Sequence, residues 1–113
     1  MSLLLQQGKA FTGDFEHQAR WYVRHADAEI ARRYLEHLRE TLRLLTVHPA
    51  MGRARRYRHS ELKGLRSFRV NPPFQRHLIF YRHDSTALYA VRVIDGARDL
   101  PRRLLEPPGD YDD

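Results

Sequence analysis

Residues 65–101 have the sequence LRSFRVNPPFQRHLIFYRHDSTALYAVRVIDGARDLP, and the predicted sheet is centred on them. Runs rich in β-branched, aromatic and leucine residues lie at 65–70, 77–82 and 87–94, and turn-forming residues separate them. Such runs predict an antiparallel β-meander. The prolines at 72 and 73 have no N–H to donate to a ladder, so they belong to the first connection.

Alternation along these runs predicts which face of the sheet meets solvent. The last run places Arg92 on the same face as Leu88 and Ile94. Burying an arginine without a partner is costly, so Arg92 is expected on an open or concave face. Arg69 is expected on the face opposite Val70 for the same reason. One face is therefore predicted to be covered, and the other to carry arginines.

The residues before the sheet predict two helices that form an αα-hairpin. The second is expected to begin after an Asp27 cap and to end near Val47. Its apolar stripe is Ala31, Tyr34, Leu35, Leu38, Leu42 and Leu45. The first is expected to begin at a Thr12 cap, with Asp14 favoured in its first turn. Its expected stripe is Phe15, Ala19, Tyr22, Val23 and Ala26.

The two ends of the chain carry weaker signals. Residues 1–11 could form an edge strand, although their Gln-Gln-Gly-Lys segment is poor strand material, and this alternative stays open. After the sheet, Pro101 permits a short helix that starts close to it. The sequence thus predicts a single α+β domain over residues 1–105, with a flexible acidic tail at 106–113.

Composition limits the class of protein. A chain of 113 residues is long enough for one domain with one core. The absence of cysteine excludes disulfides and thiolate metal sites. The apolar run at residues 3–5 is too short for a signal or a membrane span, so we expect a cytoplasmic protein without a membrane partner.

The formal net charge of +6 is concentrated in one part of the sequence. Between residues 53 and 82 there are nine basic residues and the single acid Glu61. The basic residues are Arg53, Arg55, Arg56, Arg58, Lys63, Arg66, Arg69, Arg76 and Arg82. Such clustering predicts a surface for a polyanion or an acidic protein. A general preference for arginine would explain the residue type but not the clustering.

The connection at 48–64 holds the densest part of this charge. Its basic residues Arg53, Arg55, Arg56 and Arg58 alternate with Tyr57 and His59. Arginines beside aromatic rings could bind phosphate and base. A loop that crosses the end of the sheet with its charges in water fits the same pattern.

Several short motifs, taken in order, give the sequence a family resemblance. They are ARRYL at 31–35, LRLL at 42–45, HPAMG at 48–52, LKGLRSF at 62–68, HLIFYR at 77–82 and VRVIDGARDLP at 91–101. In this order and spacing they resemble the RelE/ParE toxin superfamily, and its ParE branch in particular. The resemblance covers about residues 12–105.

The resemblance implies the toxin of a type II toxin–antitoxin pair. It implies two helices packed on an antiparallel sheet, and neutralisation by the flexible C-terminal segment of a cognate antitoxin. ParE-like members with an assigned target mostly act on DNA gyrase. RelE-like members cut mRNA on the ribosome, with basic residues on the sheet and a Tyr or His near the C-terminus.

The resemblance implies functional roles for residues at a few positions. Arg76 or His77, together with Arg98, match basic positions of the RelE-like nucleases. Directly after Arg98 the sequence is DLPRR at 99–103, which contains no Tyr or His, and a nuclease needs an acid and a base as well as cations. Arg98 could instead pair with Asp95 or Asp99. If the chain acts by binding, the expected target-binding residues are Arg66, Arg69, Arg76, Arg92 and Arg98.

Other chemistry has little support in the sequence. The seven histidines are scattered without the spacing of a zinc site, and no serine elbow or glycine-rich phosphate loop is present. We therefore expect no metal and no cofactor. The favoured interpretation is a ParE-like toxin that binds and inhibits DNA gyrase. The alternatives are a RelE-like, ribosome-dependent mRNA endonuclease and a basic nucleic-acid-binding module.

Overall fold

The computed structural model describes residues 2–96 and 99–108. The fold is built on a sheet: a helical hairpin lies on one face of it, and a short third helix lies on the other. The helices are α1 (Lys9–His25), α2 (Ala28–Val47) and α3 (Leu100–Leu105). The strands are β1 (Leu4–Gln7), β2 (Arg53–Ala54), β3 (Arg66–Arg69), β4 (His77–His83) and β5 (Ala87–Asp95). The α+β class and the predicted hairpin are confirmed.

Within the described residues the strands form one five-stranded sheet in the order β1-β5-β4-β3-β2. The predicted meander is β3-β4-β5, and its pairs are antiparallel. The open question about the N-terminus is settled, because β1 pairs in parallel with β5 at the edge of the sheet. The connection at 48–64 was expected to be a loop, but it contains β2 and two 3₁₀ turns, Pro49–Met51 and Ser60–Leu62.

The second helix follows its sequence pattern closely. The Asp27 carboxylate accepts a hydrogen bond from the Ile30 N–H at 2.8 Å, as an N-cap should. Its buried face includes Ala31, Tyr34, Leu38, Leu42 and Leu45. Leu35 is half-buried against the same core.

The first helix differs from its prediction in both start and face. It begins after Gly8 rather than Thr12, and its buried residues are Phe11, Asp14, Gln18 and Tyr22. Val23, expected in the core, is 52% exposed. Two of the four buried positions are polar. A prediction from apolar residues alone therefore placed the buried face of the helix on the wrong side. Asp14 therefore lies in the interior and not in a solvated first turn.

A β-bulge changes the faces of the last strand. Phe80 pairs with Arg92, whereas the next residue, Tyr81, pairs with Ala90. The extra residue, Val91, shifts the alternation beyond it, so Val93 joins the core beneath the hairpin and Ile94 lies on the other face. Simple alternation grouped Leu88 with Ile94, whereas the bulge puts Leu88 on the same face as Val93.

The second face of the sheet is not the open arginine-bearing surface that was expected. Leu62, Leu65, Leu78, Phe80, Ile94 and Leu104 form a second buried cluster there. Its cover includes α3, with Pro101 in the first turn as predicted. Beyond α3, the Glu106 carbonyl accepts a hydrogen bond from Arg92. The predicted acidic tail is otherwise mostly outside the described residues, at 109–113.

Candidate functional site

Several residues of the basic cluster hold the 48–64 connection against the sheet. Arg66 donates to the Gly52 carbonyl at 2.8 Å. Arg82 donates to the carbonyls of Lys63 at 2.8 Å and Glu61 at 2.6 Å. Arg55 donates to the Ser67 hydroxyl at 2.8 Å, and its guanidinium lies 5.8 Å from the Phe80 ring centroid. These arginines fix the path of the connection.

The start of the connection is fixed by a buried tyrosine. The Tyr81 hydroxyl donates to the Pro49 carbonyl at 2.6 Å and accepts from the Gly52 N–H at 3.0 Å. A Cβ at residue 52 would overlap the Tyr81 ring, so only glycine fits there without movement. The connection is thus held at both ends by groups on β3 and β4.

Four basic side chains of the same segment have a different environment, and we name them the basic rim. They are Arg53, Arg56, Arg58 and Lys63. All four are exposed, and within the described residues their side chains make no hydrogen bond or ion pair. The sequence cluster therefore divides into cations that hold the fold together and cations that remain available to a partner. Three of the four were predicted as the basic loop.

Arg76 lies at the other end of the sheet, beside the C-terminal half of α1. Its guanidinium forms an ion pair with Asp95 at 2.6 Å and lies 5.9 Å from the Trp21 ring centroid. Trp21 in turn stacks on His25, with ring centroids 4.4 Å apart. Arg76 is exposed, so it can reach a partner while Asp95 holds it in place. Arg69 is exposed nearby and donates to the Gln75 carbonyl at 2.8 Å.

His77 is inside the molecule and not on its surface. Its ring is 5% exposed, its Nε2 is 2.8 Å from the Tyr22 hydroxyl, and its centroid is 4.6 Å from that of Tyr34. Burial, and next the positive charge of Arg76, lower the pKa of His77 to about 4. A neutral, enclosed imidazole cannot exchange protons with a substrate on the surface. His77 stabilises the aromatic core here.

Arg92 was expected to face solvent, and this expectation is wrong. The side chain is 5% exposed and forms a two-point ion pair with the fully buried Asp14, with Nε–Oδ2 at 2.7 Å and Nη2–Oδ1 at 2.8 Å. It also donates to the Leu104 carbonyl at 2.9 Å. Burial is possible because the charge is paired and its donors are satisfied. Arg92 is therefore not accessible to a target on this surface.

Two polar side chains of α1 bind the edge of β5 where β1 has ended. Asp14 accepts a hydrogen bond from the Val93 N–H at 3.0 Å, and Gln18 donates to the Val93 carbonyl at 2.8 Å. These contacts explain why α1 buries polar residues. These two contacts were not predicted, because the local sequence around Gln18 gives no sign of a partner 75 positions away.

The predicted role of Arg98 falls outside the described residues. Its two suggested acidic partners are described. Asp95 pairs with Arg76, and Asp99 lies 3.9 Å from Arg102. The prediction for Arg98 therefore stays a prediction.

A small groove lies between the helices and the start of the chain. It has a volume of about 30 Å³ and is lined by Gln7, Phe11, Phe15, Leu35, Leu38, Arg39 and Leu42. Phe15 and Leu35 are half-buried, and Arg39 is exposed at the margin. An apolar floor with a cation beside it can accept a segment that carries both apolar and acidic side chains.

Neither metal sites nor membrane spans are found in the part of the chain that the structure describes. It contains no group of three or more potential metal ligands. None of its helices is long and apolar enough to cross a bilayer.

The comparisons with known proteins agree with the fold. A family model described as the ParE toxin of the type II toxin–antitoxin system parDE matches residues 6–100. The structure is similar to a chain described as "Chromosomal ParDE TA system from P. aeruginosa", with a TM-score of 0.67 and 15% sequence identity over 83% of this chain and 96% of that one. A search of curated proteins gave no significant match. Because the family model spans most of the sequence, the chain belongs to the ParE toxin family of type II toxin–antitoxin systems.

Proposed function

We propose that this ParE toxin arrests growth by binding DNA gyrase and inhibiting it. Family membership gives a toxin whose partner is an antitoxin, and the choice of target rests on the candidate site. The choice of gyrase over RNA is supported by the burial of His77, the histidine matched to a basic position of the nucleases. Cleavage of RNA needs an acid and a base that reach the substrate, whereas inhibition by binding needs exposed contacts. Arg69 and Arg76 provide such contacts.

An assay with two targets tests this proposal. Purified toxin is expected to inhibit supercoiling by gyrase and to leave ribosome-bound mRNA uncut. Arg76→Ala is expected to weaken gyrase inhibition by about tenfold, because an exposed charged contact at a specific interface contributes on the order of 1.4 kcal/mol. Inhibition titrations and primer extension on translated message provide the two readouts.

The control for this assay is Arg20→Ala, which removes an exposed arginine from α1. It is expected to inhibit gyrase like the unmodified toxin. Codon-specific cuts in translated message by the unmodified toxin, retained in Arg20→Ala, would replace gyrase inhibition with the RelE-like endonuclease. An Arg76→Ala variant that inhibits gyrase fully would remove Arg76 from the target interface.

The antitoxin site is the second part of the proposal. The groove between α1 and α2 accepts an apolar, acidic segment that folds as it binds, with apolar side chains on Phe15 and Leu35 and a carboxylate near Arg39. This assignment follows from the mixed character of the groove.

Substitutions in the groove are expected to separate toxicity from neutralisation. Phe15→Asp and Arg39→Glu place negative charge where the antitoxin would bring its own, so antitoxin affinity is expected to fall by about 100-fold. Induction of either variant alone still arrests growth, and co-expression of the cognate antitoxin no longer restores it. Growth curves with and without antitoxin give the result.

Val23→Asp is the matched control, since it puts the same charge on an exposed apolar position of the same helix. Its toxicity is expected to be neutralised normally. Full rescue of the exposed-site variant Arg39→Glu by the antitoxin would show that the groove is not the site. Harmless induction of the unmodified chain would contradict toxicity itself.

A further inference from the structure

The segment that carries the basic rim, residues 53–63, has exposed charges and no exposed large apolar side chain. Among the described residues, the exposed large apolar side chains are Leu4, Val23, Leu44, Val47, Met51, Tyr89 and Leu105. None lies between residues 52 and 88, where all four rim cations are found. Specific protein interfaces are built around a buried apolar or aromatic centre. Residues 53–63 provide no such centre, and the exposed apolar side chain nearest to them in the sequence is Met51; this composition disfavours a protein partner there.

Of the two aromatic residues beside the rim, Tyr57 is not free to stack on bases, and only the His59 ring is exposed. Tyr57 is half-buried and packs against the second core, with its hydroxyl inside the protein. The His59 ring accepts a hydrogen bond from the Glu61 N–H at 3.1 Å, which holds the 3₁₀ turn. Proteins that bind single strands use exposed aromatic platforms together with cations. The rim supplies four cations beside a single exposed ring, and these cations match the dense phosphate charge of a duplex.

The rim is also held in place before any partner arrives. Arg53 lies on β2, which pairs with β3, while Arg55, Arg66 and Arg82 fix the connection that carries the other rim residues. A fixed arrangement of cations loses less conformational entropy on binding than a flexible loop does. The internal arginines therefore position the external ones.

From these observations we propose that the basic rim binds the phosphate backbone of duplex DNA without reading its sequence. Arg53, Arg56, Arg58 and Lys63 each contact backbone phosphates, and Glu61 is the only acidic residue between residues 53 and 82 that could compete for them. The interaction requires DNA alone, so it is separate from gyrase inhibition and from antitoxin binding.

Fluorescence anisotropy with a labelled duplex of scrambled sequence tests the proposal. The purified toxin is expected to bind with a logarithmic salt slope of about −3 to −4, because each phosphate contact contributes about −0.9. Arg56→Ala/Arg58→Ala is expected to reduce the magnitude of that slope by about 2 and to weaken binding at least about tenfold at 0.1 M salt. Arg20→Ala/Arg43→Ala removes the same charge from exposed positions on the helices and is expected to bind like the unmodified toxin.

The other outcomes of this experiment also decide whether the rim binds DNA. Equal losses in the two double variants would mean that net charge, not the rim, binds DNA, and this would overturn the proposal. Absence of duplex binding by the unmodified toxin, or tighter binding to single-stranded RNA or DNA, would overturn it as well. Comparable binding of an RNA duplex would support backbone contacts. A supercoiling assay on the same variants keeps the two proposals apart, since gyrase inhibition can survive the loss of rim binding.

Discussion

Replacing Arg92 by alanine is expected to destabilise the fold by about 3–5 kcal/mol, as removal of one partner from a buried ion pair does. Asp14, which has no exposed surface, would keep a buried carboxylate without its counter-charge. The carbonyls at the end of α3 would also lose their donor. The effect is large compared with the 5–15 kcal/mol that stabilises a typical domain.

Urea unfolding of purified variants measures this loss. Arg43→Ala, at an exposed position, is expected to change the free energy of unfolding by less than about 0.5 kcal/mol. Asp14→Leu/Arg92→Met replaces the pair by apolar groups of similar size, and we expect it to be more stable than Arg92→Ala. A destabilisation of Arg92→Ala below about 1 kcal/mol would show that the pair contributes little.

Acidification is expected to remove about 3 kcal/mol of stability through His77. Its pKa is about 4 in the folded protein against 6.5 for the free side chain, so the unfolded chain takes up the proton more readily. The contribution is complete above pH 6.5 and is lost as the pH falls toward 4, at about 1.4 kcal/mol per pKa unit. Thermal melting between pH 7.5 and pH 4 follows the change.

His77→Phe separates this effect from the titration of carboxylates. Phenylalanine keeps an aromatic ring against Tyr34 but cannot accept a proton, so the stability of this variant is expected to change much less between pH 6.5 and pH 4.5. Loss of the Tyr22 hydrogen bond lowers its stability by a similar amount at every pH. Asp84, whose pKa is held at about 2 by hydrogen bonds from Thr86 and Ala87, titrates in a lower range. Parallel pH profiles for the two proteins would exclude His77 as the cause.

Elements with strong local patterns were predictable from the sequence. The second helix has a cap at Asp27 and a regular apolar stripe, and both are found in the structure. The central strands are bounded by turn-forming residues, so β4 and β5 agree with their predicted limits within one residue. In each case the residues that specify the element lie within it.

Features that depend on distant partners were not predictable. The face of α1 is set by Asp14 and Gln18, whose partners are on β5, and the bulge at Val91 is set by pairing with β4. The candidate site shows the same limit. The sequence located a cluster of arginines, but whether Arg66 binds a loop carbonyl or Arg58 faces solvent depends on the folded geometry.

The position of β5 in the fold has a consequence for synthesis on the ribosome. Strand β5 pairs with β1 but is synthesised some 80 residues after it. Arg92 neutralises Asp14 but follows it by 78 positions. Nascent chains that end before residue 92 would have to bury Asp14 without a counter-ion or leave α1 undocked. Because long-range contacts of this kind also slow folding, the toxin domain acquires its native structure only after residue 92 has been synthesised.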